Sequence, residues 1–169
     1  MAKYYIYMDS SLAEKGYAGW AFILTNHKGR ELSHYMGAVQ NGSAETATVA
    51  ALTQALDLVK DHKAAHTFTI YTTNPKVATA LAEGNYSDIT GVSNETIHQL
   101  RSLKTKCTHV DIGYREGNLE PEKLAKEMAK NAYRFSLFGA LKEQGKKVTV
   151  TDIQGDQNDR RKRNLPDAF

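Results

Sequence analysis

Residues 4–24 decide the fold, and they read YYIYMDSSLAEKGYAGWAFIL. Aromatic and aliphatic side chains alternate up to Asp9, which is typical of a half-buried strand, and Gly16 and Gly19 then introduce a second apolar run. This pattern predicts a β-hairpin whose first strand ends in a carboxylate. An uncharged turn residue would serve equally well at that point. The role of Asp9 therefore depends on whether other acidic side chains meet it in the folded chain.

The rest of the chain alternates strands with helices. Period-two alternation predicts strands, and apolar residues at spacings of three and four predict helices. The predicted strands are residues 3–8, 20–26, 31–38, 66–72 and 108–115, and the predicted helices are residues 43–58, a short helix from 75, residues 95–105 and residues 121–142. This order predicts an α/β fold with a five-stranded mixed sheet, three antiparallel strands followed by two parallel ones, flanked by helices.

Composition indicates one ordinary globular domain. The chain has 169 residues, of which 41% are hydrophobic and 24% charged, and this leaves room for a sizeable core. Cys107 is the single cysteine, which excludes a disulfide framework and the usual cysteine-rich zinc site. A single cysteine suits a reducing setting, so we expect a cytoplasmic protein. No segment is apolar over the roughly 18 residues typical of a membrane span, so we expect no membrane partner. The net charge of +3 permits nucleic acid as a partner without requiring it.

The composition changes near residue 145. We assign residues 1–144 to one domain and residues 145–169 to a C-terminal extension. Within the extension, KKVTVTDI has the alternation of an extra strand, and the polar tail after it carries the basic run RRKR at residues 160–163. A basic run of this kind is usually solvated, and contact with phosphate is the alternative.

Three acidic residues lie at positions where strand ends and helix starts can converge. Asp9 follows the first strand, Glu45 lies in the first turn of the first long helix, and Glu122 lies in the first turn of the last helix. Each has an ordinary structural explanation, as a turn former or as a partner of the helix dipole. Together they form the kind of oxygen-rich cluster that Mg²⁺ or Mn²⁺ requires.

Three segments of the chain resemble the type one ribonuclease H family. The segments are IYMDSS with GYAGWAFIL, SAETATVAALTQAL and REGNLEPEKLAKEMA, and they occur in the family's order. The resemblance runs from about residue 4 to about residue 132. It implies a ribonuclease H-like fold and a site in which acidic residues hold two Mg²⁺ or Mn²⁺ ions that cut a phosphodiester.

The resemblance also implies roles for particular residues. Asp9, Glu45 and Glu122 match the catalytic acids, and Thr73 takes the position of the remaining metal-ligating acid. The residues that match or adjoin the family's substrate contacts are Ser10, Asn41, Ser43 and Asn74. The segment QNGS that contains Asn41 and Ser43 is equally an ordinary turn and helix cap.

The chain departs from the family at two of these positions. The family reads IYTDS where this chain reads IYTTN, so that Thr73 offers a neutral oxygen in place of a carboxylate. Glu122 stands where aspartate is usual, and its extra methylene shifts the carboxylate by roughly an ångström, which matters at a two-metal site.

The resemblance leaves three hypotheses. The first is a metal-dependent endonuclease that cleaves the RNA strand of RNA–DNA hybrids, with attenuated activity because of Thr73. The second is a catalytically inactive ribonuclease H-like domain that binds hybrid, other nucleic acid or a protein partner. The third is a structural domain that docks into a larger complex through its extension.

Overall fold

The computed structural model describes residues 2–12, 16–40, 42–62 and 66–143, with side chains described up to residue 132. Asn41 and the extension at residues 145–169 therefore lie outside the described part of the chain. The elements in chain order are β1 (Ala2–Leu12), β2 (Tyr17–Asn26), β3 (Glu31–Gln40), α1 (Ala44–Val59), β4 (His66–Thr72), α2 (Pro75–Glu83), a 3₁₀ turn (Tyr86–Asp88), α3 (Asn94–Lys106), β5 (Val110–Tyr114) and α4 (Glu120–Glu143).

The five strands form one mixed sheet in the order β3-β2-β1-β4-β5. The pairs β1–β2 and β2–β3 are antiparallel, as hairpin connections allow, whereas β4 lies parallel to both β1 and β5. Parallel neighbours require crossover connections, and the helices α1, α2 and α3 lie in those connections. The predicted α/β fold with a five-stranded mixed sheet is confirmed.

The first strand is longer than the sequence pattern predicts. Asp9 does not end β1 but lies inside it, opposite Ala21 of β2. The pairing continues through Ser11, which lies opposite Gly19, so that this glycine belongs to β2 rather than to the turn. The apolar alternation stops at Asp9, but ladder hydrogen bonds join backbone groups and do not need apolar side chains. The carboxylate is consequently held on a paired strand, which is more rigid than a turn.

Two layers of helices cover the two faces of the sheet. Phe22 and Leu24 of β2 belong to the larger core, which contains the buried side chains of α1 and α3. Ala21 and Ile23 alternate with them and face a smaller core formed with α4. Because β2 is buried on both faces, α1 and α4 lie on opposite sides of this strand, which also pairs with Asp9.

Capping residues fix where the first two helices begin. Ser43 caps α1, since its Oγ accepts from the Thr46 backbone N–H at 3.2 Å while the Thr46 hydroxyl accepts from the Ser43 N–H. Asn74 caps α2 by accepting from the Val77 N–H at 3.0 Å, and Pro75 occupies the first turn. Both helix starts follow directly from these side chains, as predicted for Ser43. No helix of the described residues is both long and apolar enough to span a membrane.

Gly37 of β3 makes room for the indole of Trp20 on β2. A Cβ atom at residue 37 would lie 2.6 Å from Trp20 Cζ2, and Trp20 is itself buried. We expect Gly37→Ala to lower the free energy of unfolding by about 2 kcal/mol, because a buried ring in a packed core cannot move away freely. Urea denaturation measures the effect.

Gly113→Ala is the matched control for that substitution. Gly113 also lies in a strand, but its added Cβ would meet Tyr71 at 3.6 Å, an ordinary contact distance. We expect Gly113→Ala to change the free energy of unfolding by less than about 0.5 kcal/mol or to raise it slightly. Equal effects of the two substitutions would contradict the packing described for Trp20.

Candidate functional site

The candidate site lies where the parallel strands end. Thr73 directly follows β4, and Arg115 directly follows β5, with its backbone N–H donating to the Thr72 carbonyl at 3.0 Å. The loop after β5 then turns at Gly117, whose φ of 90° is in the left-handed region. A Cβ at residue 117 would lie 3.2 Å from Thr73 Cγ2 and 3.8 Å from Asp9 Oδ2. The loop therefore passes close over Asp9 and Thr73 at the carboxyl edge of the sheet, where α/β folds commonly bind ligands.

One carboxylate oxygen of Asp9 is already engaged by protein donors. The Thr73 hydroxyl donates to Asp9 Oδ1 at 2.7 Å, and the Ser10 backbone N–H donates to the same oxygen at 2.8 Å. Lys126 of α4 places its Nζ 3.9 Å from this oxygen and donates to the Ser10 carbonyl at 2.7 Å. The side chain of Asp9 is only 11% exposed. Two hydrogen bonds and one ammonium group therefore stabilise the negative charge of Asp9.

Glu122 is fully buried and pairs with Arg115. Its Oε1 accepts from the Arg115 Nε at 3.2 Å and from the Leu119 backbone N–H at 3.0 Å, while its side chain has no exposed area. Its Oε2 is buried and has no hydrogen-bond partner among the described residues. The guanidinium of Arg115 also lies over the Tyr71 ring, 5.4 Å from the ring centre. Arg115 is therefore held by a carboxylate on one side and an aromatic face on the other.

The Arg115–Glu122 pair lies beside a cluster of three tyrosines. Tyr5, Tyr7 and Tyr71 stack with ring centres 5.7 to 6.4 Å apart. Burial raises the pKa of Tyr7. The neighbouring Tyr71 and Glu122 raise this pKa further, whereas Arg115 lowers it. Asp9 is two residues beyond Tyr7 on the same strand, so its side chain leaves the sheet on the same face. Asp9 and Glu122 thus share the face that α4 covers.

Glu45 is engaged at the start of α1. Its Oε1 lies 3.0 Å from the Lys76 ammonium, and its Oε2 accepts from the Thr90 backbone N–H at 2.7 Å and from the Thr90 hydroxyl at 3.0 Å. Partial burial opposes ionisation, but the hydrogen bonds from Thr90 and Lys76 outweigh it and hold the pKa of Glu45 below its ordinary value. Both oxygens of Glu45 therefore have partners within the chain.

The predicted substrate-binding residues serve structural roles in the described chain. Ser43 and Asn74 cap α1 and α2. Ser10 donates its backbone N–H to Asp9, and its carbonyl accepts from Lys126. Their roles toward a substrate stay predictions.

Each of the three acids has its own basic partner. Asp9 lies near Lys126, Glu122 near Arg115 and Glu45 near Lys76. Three negative and three positive side chains sum to zero formal charge. Among the residues that the structure describes, no group of three or more histidine, cysteine, aspartate and glutamate side chains is placed to hold a metal ion. Each of these acids therefore belongs to a separate ion pair, and its role as a metal ligand stays a prediction.

The donor set does not fit two divalent ions. Two-metal sites need several carboxylate oxygens directed at common points. Here Asp9 Oδ1, Glu122 Oε1 and both oxygens of Glu45 accept from protein donors, and the residue at 73 is a hydroxyl that itself donates to Asp9. Glu122 Oε2 is the one acid oxygen described as buried without a partner. The predicted requirement for Mg²⁺ or Mn²⁺ stays a prediction drawn from the resemblance.

The basic residues of the site did not follow from the sequence. Lys76, Arg115 and Lys126 were not singled out, and neither was Thr90. One signal was available, because Lys76 is three residues from Thr73 and Lys126 is four residues, or one helical turn, from Glu122. The actual pairs are different: Lys76 reaches Glu45 and Lys126 reaches Asp9. Spacing along the chain cannot show such pairs because tertiary packing forms them.

Solved structures with a similar fold include ribonuclease H1 proteins. Ribonuclease H1 from the archaeon Halobacterium salinarum matches with a TM-score of 0.59 at 15% identity, over 79% of this chain and 98% of that one. LC11-RNase H1 from compost, in a complex with RNA/DNA hybrid, matches with a TM-score of 0.60 at 16% identity, over 78% of this chain and 99% of that one. At such identities the similarity shows the fold alone.

A viral protein shows the same similarity over a smaller part of its length. The protease-reverse transcriptase of prototype foamy virus matches with a TM-score of 0.63 at 17% identity, over 78% of this chain. The matched region is 21% of the viral chain, so this protein spans about a fifth of that relative. No protein-family model and no curated protein matches the chain.

The Arg115–Glu122 pair provides a test of the site's electrostatics. Arg115→Ala leaves a buried carboxylate without its cation, and we expect it to lower the free energy of unfolding by about 2 kcal/mol. The loss is smaller than for a fully buried pair because the guanidinium is partly exposed. Glu122→Gln keeps an acceptor for the Leu119 N–H, and we expect a loss of about 1 kcal/mol. Urea denaturation of both variants gives the comparison.

The double variant Arg115→Ala with Glu122→Gln separates the charge effect from lost packing on Tyr71. If the unpaired carboxylate causes the loss, the double variant should be more stable than Arg115→Ala alone. Additive losses would show that the two charges do not interact in the folded chain.

Proposed function

We propose, from the premise that the chain has a ribonuclease H-like fold, that this protein binds RNA–DNA hybrid at the carboxyl edge of its sheet and does not hydrolyse it efficiently. The substrate class follows from the fold, since a structural relative with nearly full coverage forms a complex with RNA/DNA hybrid. The expectation of weak or absent hydrolysis follows from the side chains of this chain. The sequence favours cleavage of the hybrid, and the side-chain geometry favours the alternative, binding without cleavage.

The observation that carries the proposal is the hydrogen bond from Thr73 to Asp9. An aspartate at residue 73 would bring a second carboxylate next to Asp9, and two such charges repel each other unless a cation lies between them or one carboxyl is protonated. Thr73 avoids that repulsion, because it is uncharged and its hydroxyl donates to Asp9 Oδ1 at 2.7 Å. This contact supports a site that holds the Asp9 carboxylate without a metal ion.

Charge balance supports nucleic acid as the ligand. Three unpaired carboxylates would repel a phosphate backbone, whereas a basic partner beside each of them weakens that repulsion. The capped starts of α1 and α2 follow β3 and β4 at this edge, which places the positive ends of their helix dipoles there. Ser43 and Asn74 contribute by fixing these helix starts, and Ser10 contributes by fixing Lys126.

Attenuated metal-dependent cleavage of the RNA strand is the second candidate. A specific observation favours it: Glu122 Oε2 is buried and unpartnered, and a buried carboxylate oxygen without a donor is suited to a cation. The same side chain, however, already pairs with Arg115 through its other oxygen. The second candidate therefore requires Arg115 to move when an ion binds.

A binding and cleavage experiment separates the two candidates. Purified protein is mixed with an end-labelled RNA–DNA hybrid in Mg²⁺ and, separately, in Mn²⁺, beside the Asp9→Asn variant. We expect a stable complex and no cleavage above that of Asp9→Asn. Cleavage that Asp9→Asn abolishes would establish the nuclease instead. A failure to bind hybrid under any of these conditions would contradict the proposed function.

Thr73→Asp shows whether residue 73 alone prevents cleavage, and Thr73→Asn is its uncharged control. We expect both variants to cleave no faster than the wild type, because Glu45 and Glu122 keep their basic partners. A large gain in cleavage rate for Thr73→Asp, without a gain for Thr73→Asn, would show that the ion pairs of Glu45 and Glu122 do not prevent cleavage.

A further inference from the structure

We propose that Lys76, Arg115 and Lys126 take the place of divalent cations at this edge, so that the protein holds the phosphate backbone of a hybrid without any metal ion. The inference rests on the proposed function and adds to it the groups that contact phosphate. It follows from the disagreement between the side chains present and the two-metal site that the resemblance implies.

Lys126 has the position best suited to this role. Its ammonium is fixed by the Ser10 carbonyl at 2.7 Å and lies 3.9 Å from Asp9 Oδ1. An ammonium has three N–H donors, and the side chain remains 44% exposed. Lys126 can therefore neutralise Asp9 and donate to a phosphate oxygen at the same time, which are two of the roles of a metal ion in binding.

Arg115 offers a second, directional contact. Its Nε is engaged by Glu122 and its plane is held against Tyr71, so that the orientation of the two Nη groups is set before a ligand arrives. The side chain is 35% exposed. A guanidinium fixed in this way can donate two parallel hydrogen bonds to a phosphate, a geometry that lysine does not provide.

Lys76 extends the positive charge toward the start of α2. It pairs with Glu45 at 3.0 Å and remains half-exposed. It also lines an open groove of about 610 Å³ together with Thr79, Ser87, Asp88 and Thr90. Asp88 adds one negative charge to this groove, so we expect Lys76 to contribute less to phosphate binding than Lys126.

The first measurement is hybrid binding with and without divalent ions. Fluorescence anisotropy with a labelled RNA–DNA hybrid is recorded in EDTA and in millimolar Mg²⁺ at matched ionic strength. We expect the two dissociation constants to agree within about threefold, because no contact depends on the metal. Binding that requires Mg²⁺ would overturn this inference and leave the proposed function intact. An absence of binding in both conditions would overturn both.

The second measurement assigns the contacts to the named side chains. We expect Lys126→Ala to weaken binding in EDTA about tenfold and to lower the slope of log affinity against log salt by about one. Lys126→Arg, which keeps the charge, should retain most of the affinity. The thermal unfolding of each variant is recorded as well, so that a folding defect is not counted as a lost contact.

Lys60→Ala is the matched control. Lys60 also pairs with an acid, Asp57 at 2.6 Å, and has similar exposure, but it follows the opposite end of α1 from Glu45. Since α1 has 16 residues, these ends are roughly 24 Å apart. We expect Lys60→Ala to bind like the wild type. Equal losses for Lys60→Ala and Lys126→Ala, or no loss for Lys126→Ala and Arg115→Ala, would overturn the assignment.

Discussion

The site depends on one hydrogen bond, from the hydroxyl of Thr73 to the carboxylate of Asp9. It joins β1 and the residue after β4, directly beyond Met8 and Thr72, the last paired residues of these parallel neighbours. A carboxylate that accepts two short hydrogen bonds and lies near an ammonium is stable without an external ion. The rest of the site is consistent with this arrangement, because Glu45 and Glu122 each have a basic partner as well.

The three ion pairs differ in what they contribute. Lys76–Glu45 is partly exposed, and pairs of this kind add little to stability. Arg115–Glu122 contains a fully buried carboxylate, and such a pair stabilises the fold less than its attraction suggests because both charges lose hydration. Its main effect is geometric, since it fixes the guanidinium against Tyr71 and fixes Glu122 at the start of α4. The pairs therefore organise the edge of the sheet more than they stabilise the domain.

Local signals in the sequence were sufficient for the fold and for part of the site. The helix start at Ser43 and the bounds of β4 follow from a capping side chain and from alternation, which act over a few residues. The extent of β1 past Asp9 did not follow, because backbone pairing with β2 determines it. Thr73 was visible as a departure from the family motif. Lys126 was not visible, because it meets Ser10 across 116 residues of chain and only the packing of α4 brings them together.

Direct titration with Mn²⁺ tests the central claim, that basic side chains rather than metal ions balance the acids of this edge. Electron paramagnetic resonance of free Mn²⁺ is recorded as the ion is added to the wild-type protein without nucleic acid. Since Asp9, Glu45 and Glu122 already have partners in the chain, we expect the free-ion signal to rise in proportion to the added Mn²⁺. Loss of signal equivalent to two ions per chain at micromolar concentrations would contradict the account.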